Sequence, residues 1–215
     1  MPINEVGLVR TIGQGLTSGA NTVHSMDPSG ATVVMDFYLK SMLDGHGFQV
    51  RAGTITTPLV GDVAITDTFA EYCVDGGTNL VIIPVYNNIS VRAGSGTAHE
   101  MAIKSVATVS SAGTAFTPLP LMNTGVAAST TARVSAAGGV TVTAELATTT
   151  MRHWSYSQQA VFTTGQVIIP DYSPRTPPVL VGSRCLYVQI AAATTGPSFY
   201  ASIDYLEFTR AQMGL

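Results

Sequence analysis

Short apolar runs that alternate with polar residues, each ended by turn residues, are the feature that most constrains the fold of this chain. Alternation with a period of two is typical of strands with one buried face, whereas an amphipathic helix needs a period near 3.6. Phe199–Phe208 shows the alternation clearly, and Leu80–Ile83 is apolar on both faces, as expected of a covered strand. Turn residues recur at intervals typical of sandwiches. The sequence therefore predicts an all-β protein, an antiparallel β-sandwich.

Length and composition are consistent with one core. The chain has 215 residues, of which 46% are apolar and only 7% aromatic, so aliphatic side chains must fill most of the interior. Sandwiches of about 200–250 residues are common as single domains. Residues 1–30 are rich in glycine and end in the turn sequence Asp27-Pro28-Ser29-Gly30. We predict an extended N-terminal arm over 1–30 and a single sandwich domain over 31–215.

Charge is scarce along the whole chain. Charged residues make up 11%, the net charge is −3, and only two lysines are present. Residues 1–30 carry one arginine, Arg10, and no lysine. Nucleic-acid backbones need clustered cations, so we expect no direct nucleic-acid binding. The first residues lack a secretory pattern and no apolar run is long enough to span a bilayer, so the sequence predicts a protein made in the cytoplasm without a membrane span.

One long segment carries no charge at all. Between Lys104 and Arg133 every residue is neutral, and the segment includes Phe116, Leu119, Leu121 and Met122. A solvated loop of that length normally carries charge, and a disordered linker carries still more. We therefore expect another subunit to cover much of this segment, and we predict an interface that contains Phe116, Leu119, Leu121, Met122 and Arg10.

Two further patterns predict hairpins. Thr32–Lys40 alternates and is followed by turn residues and by the alternating run Phe48–Ala52, which favours a hairpin over a helix. Ala136–Gly139 is expected to join Thr131–Ser135 to Val140–Leu146 in a second hairpin. The pair Asn87-Asn88 predicts a turn within the apolar run that begins at Leu80.

No motif indicates catalysis. The glycine spacing in Gly13–Gly19 departs from that of a phosphate-binding loop. His99 and Glu100 are adjacent in sequence and are expected in a solvated loop, and no second histidine lies at the spacing that a metal site requires. Asp62 with Asp67, and Asp204 with Glu207, are carboxylate pairs that we interpret as surface charges rather than as acid–base pairs. The sequence predicts no enzyme activity, no cofactor and no metal.

Aromatic and cysteine residues are better explained by packing. Trp154 with Tyr156, and Phe199 with Tyr200 and Tyr205, are sequence-adjacent aromatics of the kind that stack on sugars, but such residues in sandwich strands more often belong to a core or an interface. Cys73 and Cys185 lie far apart outside any CxxC motif, so we expect buried side chains rather than metal ligands, with a disulfide as the open alternative.

Three features of the chain occur together: a glycine-rich N-terminal segment, long Thr/Ala/Ser-rich loops between short strands, and the alternating strand Phe199–Phe208. In this combination the chain resembles viral jelly-roll structural proteins, including capsid and capsid-decorating proteins of phages. The resemblance implies a jelly-roll-like sandwich in a virion, which self-assembles as a trimer or icosahedral lattice and contacts other capsid proteins. The alternative from another class is a carbohydrate- or receptor-binding β-sandwich module.

Overall fold

The computed structural model of the protein describes residues 36–54, 56–93, 97–122, 126–135, 139–145, 149–158 and 170–215. Within these ranges the chain forms, in order, α1 (Phe37–Leu43), β1 (Gly47–Ala52), β2 (Leu59–Val60), β3 (Phe69–Ala70), β4 (Tyr72–Asp75), β5 (Leu80–Ala93), β6 (His99–Val106), β7 (Ser111–Ala112), β8 (Thr114–Phe116), β9 (Leu119–Pro120), β10 (Thr131–Val134), β11 (Val140–Thr141), β12 (Met151–Gln158), β13 (Asp171–Tyr172), β14 (Leu180–Val181), β15 (Cys185–Ala192) and β16 (Ser198–Thr209). The all-β prediction is confirmed. The predicted arm, with Arg10 and Gly13–Gly19, lies outside the described residues.

Two antiparallel sheets face each other and form the predicted sandwich. The seven-stranded sheet has the order β13-β5-β16-β1-β9, with β14 also paired to β5 and β2 to β16. The six-stranded sheet has the order β12-β6-β15-β4-β10-β8. Inward-facing side chains from both sheets form the main core, which includes Phe48, Val50, Tyr72, Val74, Ile89, Met101, Ile103, Leu186, Val188, Ile203 and Tyr205. Alternation along each strand thus produces one shared apolar layer.

The two longest strands, β5 and β16, pair with each other at the centre of the seven-stranded sheet. Strand β16 confirms the alternating run at Phe199–Phe208. The turn predicted at Asn87-Asn88 is wrong, because β5 continues through both residues. Asn87 is buried, and its side-chain oxygen accepts a hydrogen bond of 2.7 Å from the Tyr72 hydroxyl across the core. A hydroxyl on the opposite sheet therefore pairs with the side-chain oxygen of a residue that would otherwise favour a turn.

A third, smaller sheet covers the outer face of the six-stranded sheet. It has the order β3-β11-β7, and its Ala70, Val140 and nearby Val142 pack on Cys73, Val106, Cys185 and Tyr187 in a second core. The hairpin predicted around Ala136–Gly139 is wrong, because β10 pairs with β4 and β8 whereas β11 pairs with β3 and β7. The chain changes sheets between these two strands, so both faces of the six-stranded sheet are buried.

The predicted hairpin at Thr32–Ala52 is also wrong, because Phe37–Leu43 is helical. The Asp36 carboxylate caps this helix by accepting hydrogen bonds from the backbone N–H groups of Tyr38 (2.9 Å) and Leu39 (3.3 Å). Tyr38 and Met42, four residues apart, both pack on the outer face of the seven-stranded sheet. The apolar residues of this segment fit both periods, and the cap together with the available sheet face selects the helix.

Across the described ranges, no helix has the length and apolar character needed to cross a membrane.

Candidate interaction surfaces

The outer face of the seven-stranded sheet is divided into an apolar half and a polar half. Helix α1 packs on the apolar half, where Val81, Ile83, Leu206 and Phe208 form a third cluster with Tyr38 and Met42. Outward-facing residues further along the same strands are polar and uncovered by any described helix or strand. This division places an apolar surface and a polar surface on one sheet.

The first surface, named here the α1–β9 surface, consists of α1 and the chain around the edge strand β9. The backbone N–H of Leu121 donates to the carbonyl of Gly47 (2.9 Å), and the side chains of Leu121 and Met42 both lie over Gly47. The helix and the sheet edge therefore meet at Gly47. The apolar side chains that this surface exposes by between about a third and a half are Phe37, Leu39, Leu43, Leu119, Leu121 and Met122.

Pairing explains why these leucines face outward. Leu119 pairs with Gln49 of β1, whose side chain lies on the outer face, while Pro120 pairs with the buried Phe48. Alternation along the strand then places Leu119 and Leu121 on the outer face beside α1. Pro120 has no N–H to donate to an added strand, so contacts at this edge must come mainly from side chains.

The second surface, named here the polar face, lies on β1, β5 and β16. Register places Gln49 opposite Asp204, Arg51 opposite Ser202, and Ser202 opposite Asn88. Gln49 donates a 2.8 Å hydrogen bond to the Asp204 carboxylate, and the Arg51 Nε donates one of 2.7 Å to the Gln49 side-chain oxygen. Burial raises the pKa of Asp204, while the bond from Gln49 and the charge of Arg51 oppose that rise.

A shallow depression of about 240 Å³ opens on the polar face. Its lining includes side chains of Gln49, Arg51, Asn88, Tyr200 and Ser202. The Tyr200 hydroxyl also lies 3.3 Å from the Arg92 guanidinium. The depression thus combines amide, hydroxyl and guanidinium groups with one aromatic ring, and it is smaller than typical small-molecule pockets of about 300–1,000 Å³.

The predicted interface residues fall in different places. Leu119, Leu121 and Met122 lie together on the α1–β9 surface. Phe116 instead belongs to β8, at the edge of the other large sheet, and packs against the main core. Arg10 lies outside the described residues. The contribution of α1 is not visible in the sequence, because the alternating pattern of Thr32–Lys40 predicts a strand over the first part of this helix.

The structure separates the residues considered for catalysis. His99 begins β6 and is buried, so its predicted position in a solvated loop is wrong, and burial lowers its pKa. Glu100 is exposed on the opposite side of the strand. Asp62 and Asp67 are exposed, as expected of surface charges. Glu207 is buried on the inner side of β16, so its interpretation as a surface charge is wrong, and it does not share a face with Asp204.

The aromatic residues lie mainly in the core. Phe199 and Tyr205 are fully buried in the main core. Trp154 and Tyr156 stack with ring centres 6.3 Å apart, are partly buried, and pack against the same core from the edge strand β12. Tyr200 is the member of the predicted aromatic set that lines the polar face. Packing therefore accounts for most of these rings, as the sequence pattern predicts.

Buried ionic groups were not anticipated from the sequence. Lys104 is fully buried, and its ammonium group donates hydrogen bonds of 2.6 Å to Glu145 and of 2.6 Å to Gln189. Arg152 also contacts Glu145, and these two cations help to lower the pKa of Glu145 against the effect of burial.

Comparisons with protein-family models, with curated proteins and with solved structures found no match to this chain.

Proposed function

We propose that this protein is a non-enzymatic structural component of a virus particle, a capsid-shell or capsid-decorating subunit that assembles with copies of itself. The observation that carries the proposal is the α1–β9 surface, where six apolar side chains are exposed beside a sheet edge. Exposed apolar side chains grouped on neighbouring elements are typical of protein–protein interfaces. The proposed localisation is the virion, and the proposed partners are further copies in a trimer or icosahedral lattice and other capsid proteins.

The charges around this surface support association rather than solvation. The segment from Ser105 to Ala132 contains no charged residue. In and beside α1, the charged side chains of Lys40 and Asp44 form an ion pair with each other at 2.7 Å. Natural proteins usually protect exposed sheet edges with charged side chains. An uncharged edge with exposed leucines therefore fits a surface that another molecule covers. Symmetric repetition lets weak individual contacts of this kind stabilise a large assembly.

The first experiment measures solution mass by light scattering over a concentration series. Wild-type protein is expected to form a trimer or a larger particle, and Leu119→Lys is expected to shift it toward monomer, because the lysine charge would be buried in the interface. Val179→Lys is the matched control. Val179 is 51% exposed and Leu119 45%, and Val179 precedes β14 at the opposite end of the same sheet.

A wild-type monomer at every concentration would contradict self-assembly through this surface. Equal loss of mass in both lysine variants would show that the α1–β9 surface has no special role. Electron microscopy of the assembled fraction distinguishes closed shells from small oligomers, and closed shells are the result expected of a capsid subunit. Removal of 1–30 tests whether the N-terminal segment contributes to the same assembly.

A second candidate function, a carbohydrate- or receptor-binding module, is favoured by the polar face. Its amide and hydroxyl groups beside the Tyr200 ring have the composition that sugar hydroxyls and sugar ring faces require. A glycan array probed with wild-type protein tests this function. Binding that is lost in Asn88→Ala and retained in Asn79→Ala, a change in an exposed turn, would support it. Absence of binding to every glycan would leave the structural role as the better proposal.

A further inference from the structure

The outer face of the six-stranded sheet carries a buried group of metal-ligand side chains. Cys73 and Asp75 belong to β4 and Cys185 to the neighbouring strand β15. Register pairs Asp75 with Cys185 and Cys73 with Tyr187, so all three ligand residues lie on the same face. One potential ligand atom from each residue lies within 4.8 Å of the other two. None of the three residues is more than 7% exposed.

Ser110, which directly precedes β7 of the covering sheet, adds an oxygen atom to this group. Its hydroxyl lies 3.1 Å from the Cys73 sulfur and donates a 2.6 Å hydrogen bond to one oxygen of Asp75. Its backbone N–H donates a 2.8 Å hydrogen bond to the other oxygen of Asp75. These bonds hold the carboxylate in place, as the supporting hydrogen bonds of metal-binding carboxylates commonly do.

We propose that Cys73, Asp75 and Cys185 bind one divalent cation of the zinc type, with the Ser110 hydroxyl as the adjacent oxygen. Two sulfurs and a carboxylate favour zinc over magnesium or calcium, which prefer oxygen ligands alone. In a tetrahedral zinc site with bonds of about 2.0–2.3 Å, ligand atoms lie roughly 3.3–3.8 Å apart. The separation of up to 4.8 Å therefore requires the side chains to close by about 1 Å or more, a distance that rotation of the three side chains can supply.

The charges around the group balance when the cation is bound. Two thiolates and one carboxylate carry three negative charges, and a divalent cation with Arg133 supplies three positive ones. The Nε of Arg133 lies 3.4 Å from the Asp75 carboxylate. Burial and the neighbouring Cys73 and Asp75 raise the pKa of the Cys185 thiol, so the cation must displace its proton. Binding forms two metal–sulfur bonds, breaks two S–H bonds and releases both protons to solvent.

Sheet geometry favours a shared cation over a disulfide. Both cysteines are free thiols in the structure. They occupy diagonal positions on adjacent strands, and diagonal neighbours in antiparallel sheets are about 7–8 Å apart. Disulfides usually join Cα atoms about 4.4–6.8 Å apart. A cation between the two sulfur atoms spans the longer separation without backbone movement.

The test uses the full-length protein, reduced and stripped of metal with a chelator, and titrated with Co²⁺. We expect saturation at one equivalent, with thiolate-to-cobalt charge-transfer absorption and the visible bands of tetrahedral cobalt, all removed by Zn²⁺. Cys73→Ser and Cys185→Ser are expected to weaken binding by more than about tenfold, the smallest loss typical even of outer-shell changes. Glu71→Gln is the control, since it changes a buried carboxylate outside the group.

Each contrary result overturns the proposal. Reduced wild-type protein that binds no Co²⁺ or Zn²⁺ excludes the site. Charge-transfer absorption of undiminished intensity and affinity in both serine variants, each of which has lost one of the two thiolates, places the metal elsewhere. Absence of free thiols in unreduced, denatured protein indicates a disulfide instead. If the serine variants fail to fold, alkylation of wild-type thiols decides the question: Zn²⁺ must slow it by at least tenfold, and a chelator must reverse the effect. None of these readouts depends on assembly.

Discussion

The Glu207 carboxylate on the inner side of β16 accepts two hydrogen bonds from Thr130, one of 3.0 Å from its backbone N–H and one of 2.7 Å from its hydroxyl. The other carboxylate oxygen accepts a 2.8 Å bond from the backbone N–H of Ser129. These bonds fix the C-terminal end of the uncharged segment between Lys104 and Arg133, which also contains β9, to the buried Glu207, and we call Glu207 the anchor of this segment. An anionic acceptor in the central strand positions a segment that has no charges of its own.

Replacement of this anchor tests its contribution to stability. Glu207→Gln replaces one acceptor oxygen with an N–H donor and leaves a buried N–H or hydroxyl without a partner. We expect the free energy of unfolding to fall by about 2 kcal/mol. Denaturant unfolding measures the change, and the exposed Glu100→Gln serves as the control. A loss below about 0.5 kcal/mol for Glu207→Gln would show that the anchor contributes little.

The two lysines of the chain provide a matched pair of ion-pair substitutions. Lys104→Met removes a buried ammonium group and leaves the Gln189 side-chain oxygen without its 2.6 Å donor, although Glu145 retains Arg152. We expect a loss of about 3 kcal/mol, near the lower end for a broken buried pair. Lys40→Met breaks only the exposed pair with Asp44 and should cost less than about 0.5 kcal/mol. Thermal unfolding of both variants checks the contrast, and equal shifts would contradict it.

Glu71 predicts a dependence of stability on pH. Its carboxyl group is buried, and desolvation raises its pKa from 4.5 to about 8, although backbone N–H groups of Ile190 and Asp62 donate to it. Between these two values the folded state keeps a proton that the unfolded state has released. Stability therefore falls as pH rises through this range, by up to about 1.4 kcal/mol per pH unit.

Glu71→Gln should remove this slope, because an amide does not titrate in the range. The amide also loses one of the two acceptor positions, so we expect the variant to be less stable than wild type at pH 4.5 by about 1 kcal/mol. Denaturant unfolding at several pH values between 4.5 and 8 measures both effects. The exposed Asp67→Asn is the control and should retain the wild-type slope. A variant that retains the slope would assign it to other groups.

Close backbone contact at Gly196 predicts a strong and local effect of an added methyl group. A Cβ at this position would overlap the carbonyl oxygen of Gly61, and the two segments are held together by a 2.9 Å hydrogen bond from Gly61 to Pro197. Gly196→Ala is expected to destabilise the fold by about 3 kcal/mol, since backbone atoms must move. Gly77→Ala meets only the Leu80 side chain at ordinary contact distance and serves as the control. Similar melting temperatures for the two variants would contradict the prediction.

Strand character could be predicted wherever the local pattern and the tertiary environment agreed. The run Phe199–Phe208 alternates because β16 has one face in the main core and the other on the outer side of the sheet. The prediction failed at Phe37–Leu43, where the short pattern of apolar and polar residues fits either period. The Asp36 carboxylate, which caps the helix, and the apolar sheet face on which the helix packs together make this segment helical. Neither determinant is visible in a local alternation pattern.

The candidate surfaces were predictable to a smaller extent. The absence of charge between Lys104 and Arg133 indicated a covered segment, and Leu119, Leu121 and Met122 do lie on an exposed apolar surface. The polar face was not predicted, because its residues come from three strands that are distant in sequence. Phe116 and Leu119 are only three residues apart, yet the chain crosses between sheets and separates them.

The sequence alone determined the all-β class, because the alternation of apolar and polar residues is a local property that suits pleated strands better than helices. Tertiary structure alone decided which strands became neighbours and which polar groups were buried. Cys73 and Cys185 are brought together only when β4 and β15 pair, and Lys104 is buried only when β6 is covered on both faces. Long-range pairing depends on the fit of whole sheets, and no local pattern encodes that fit.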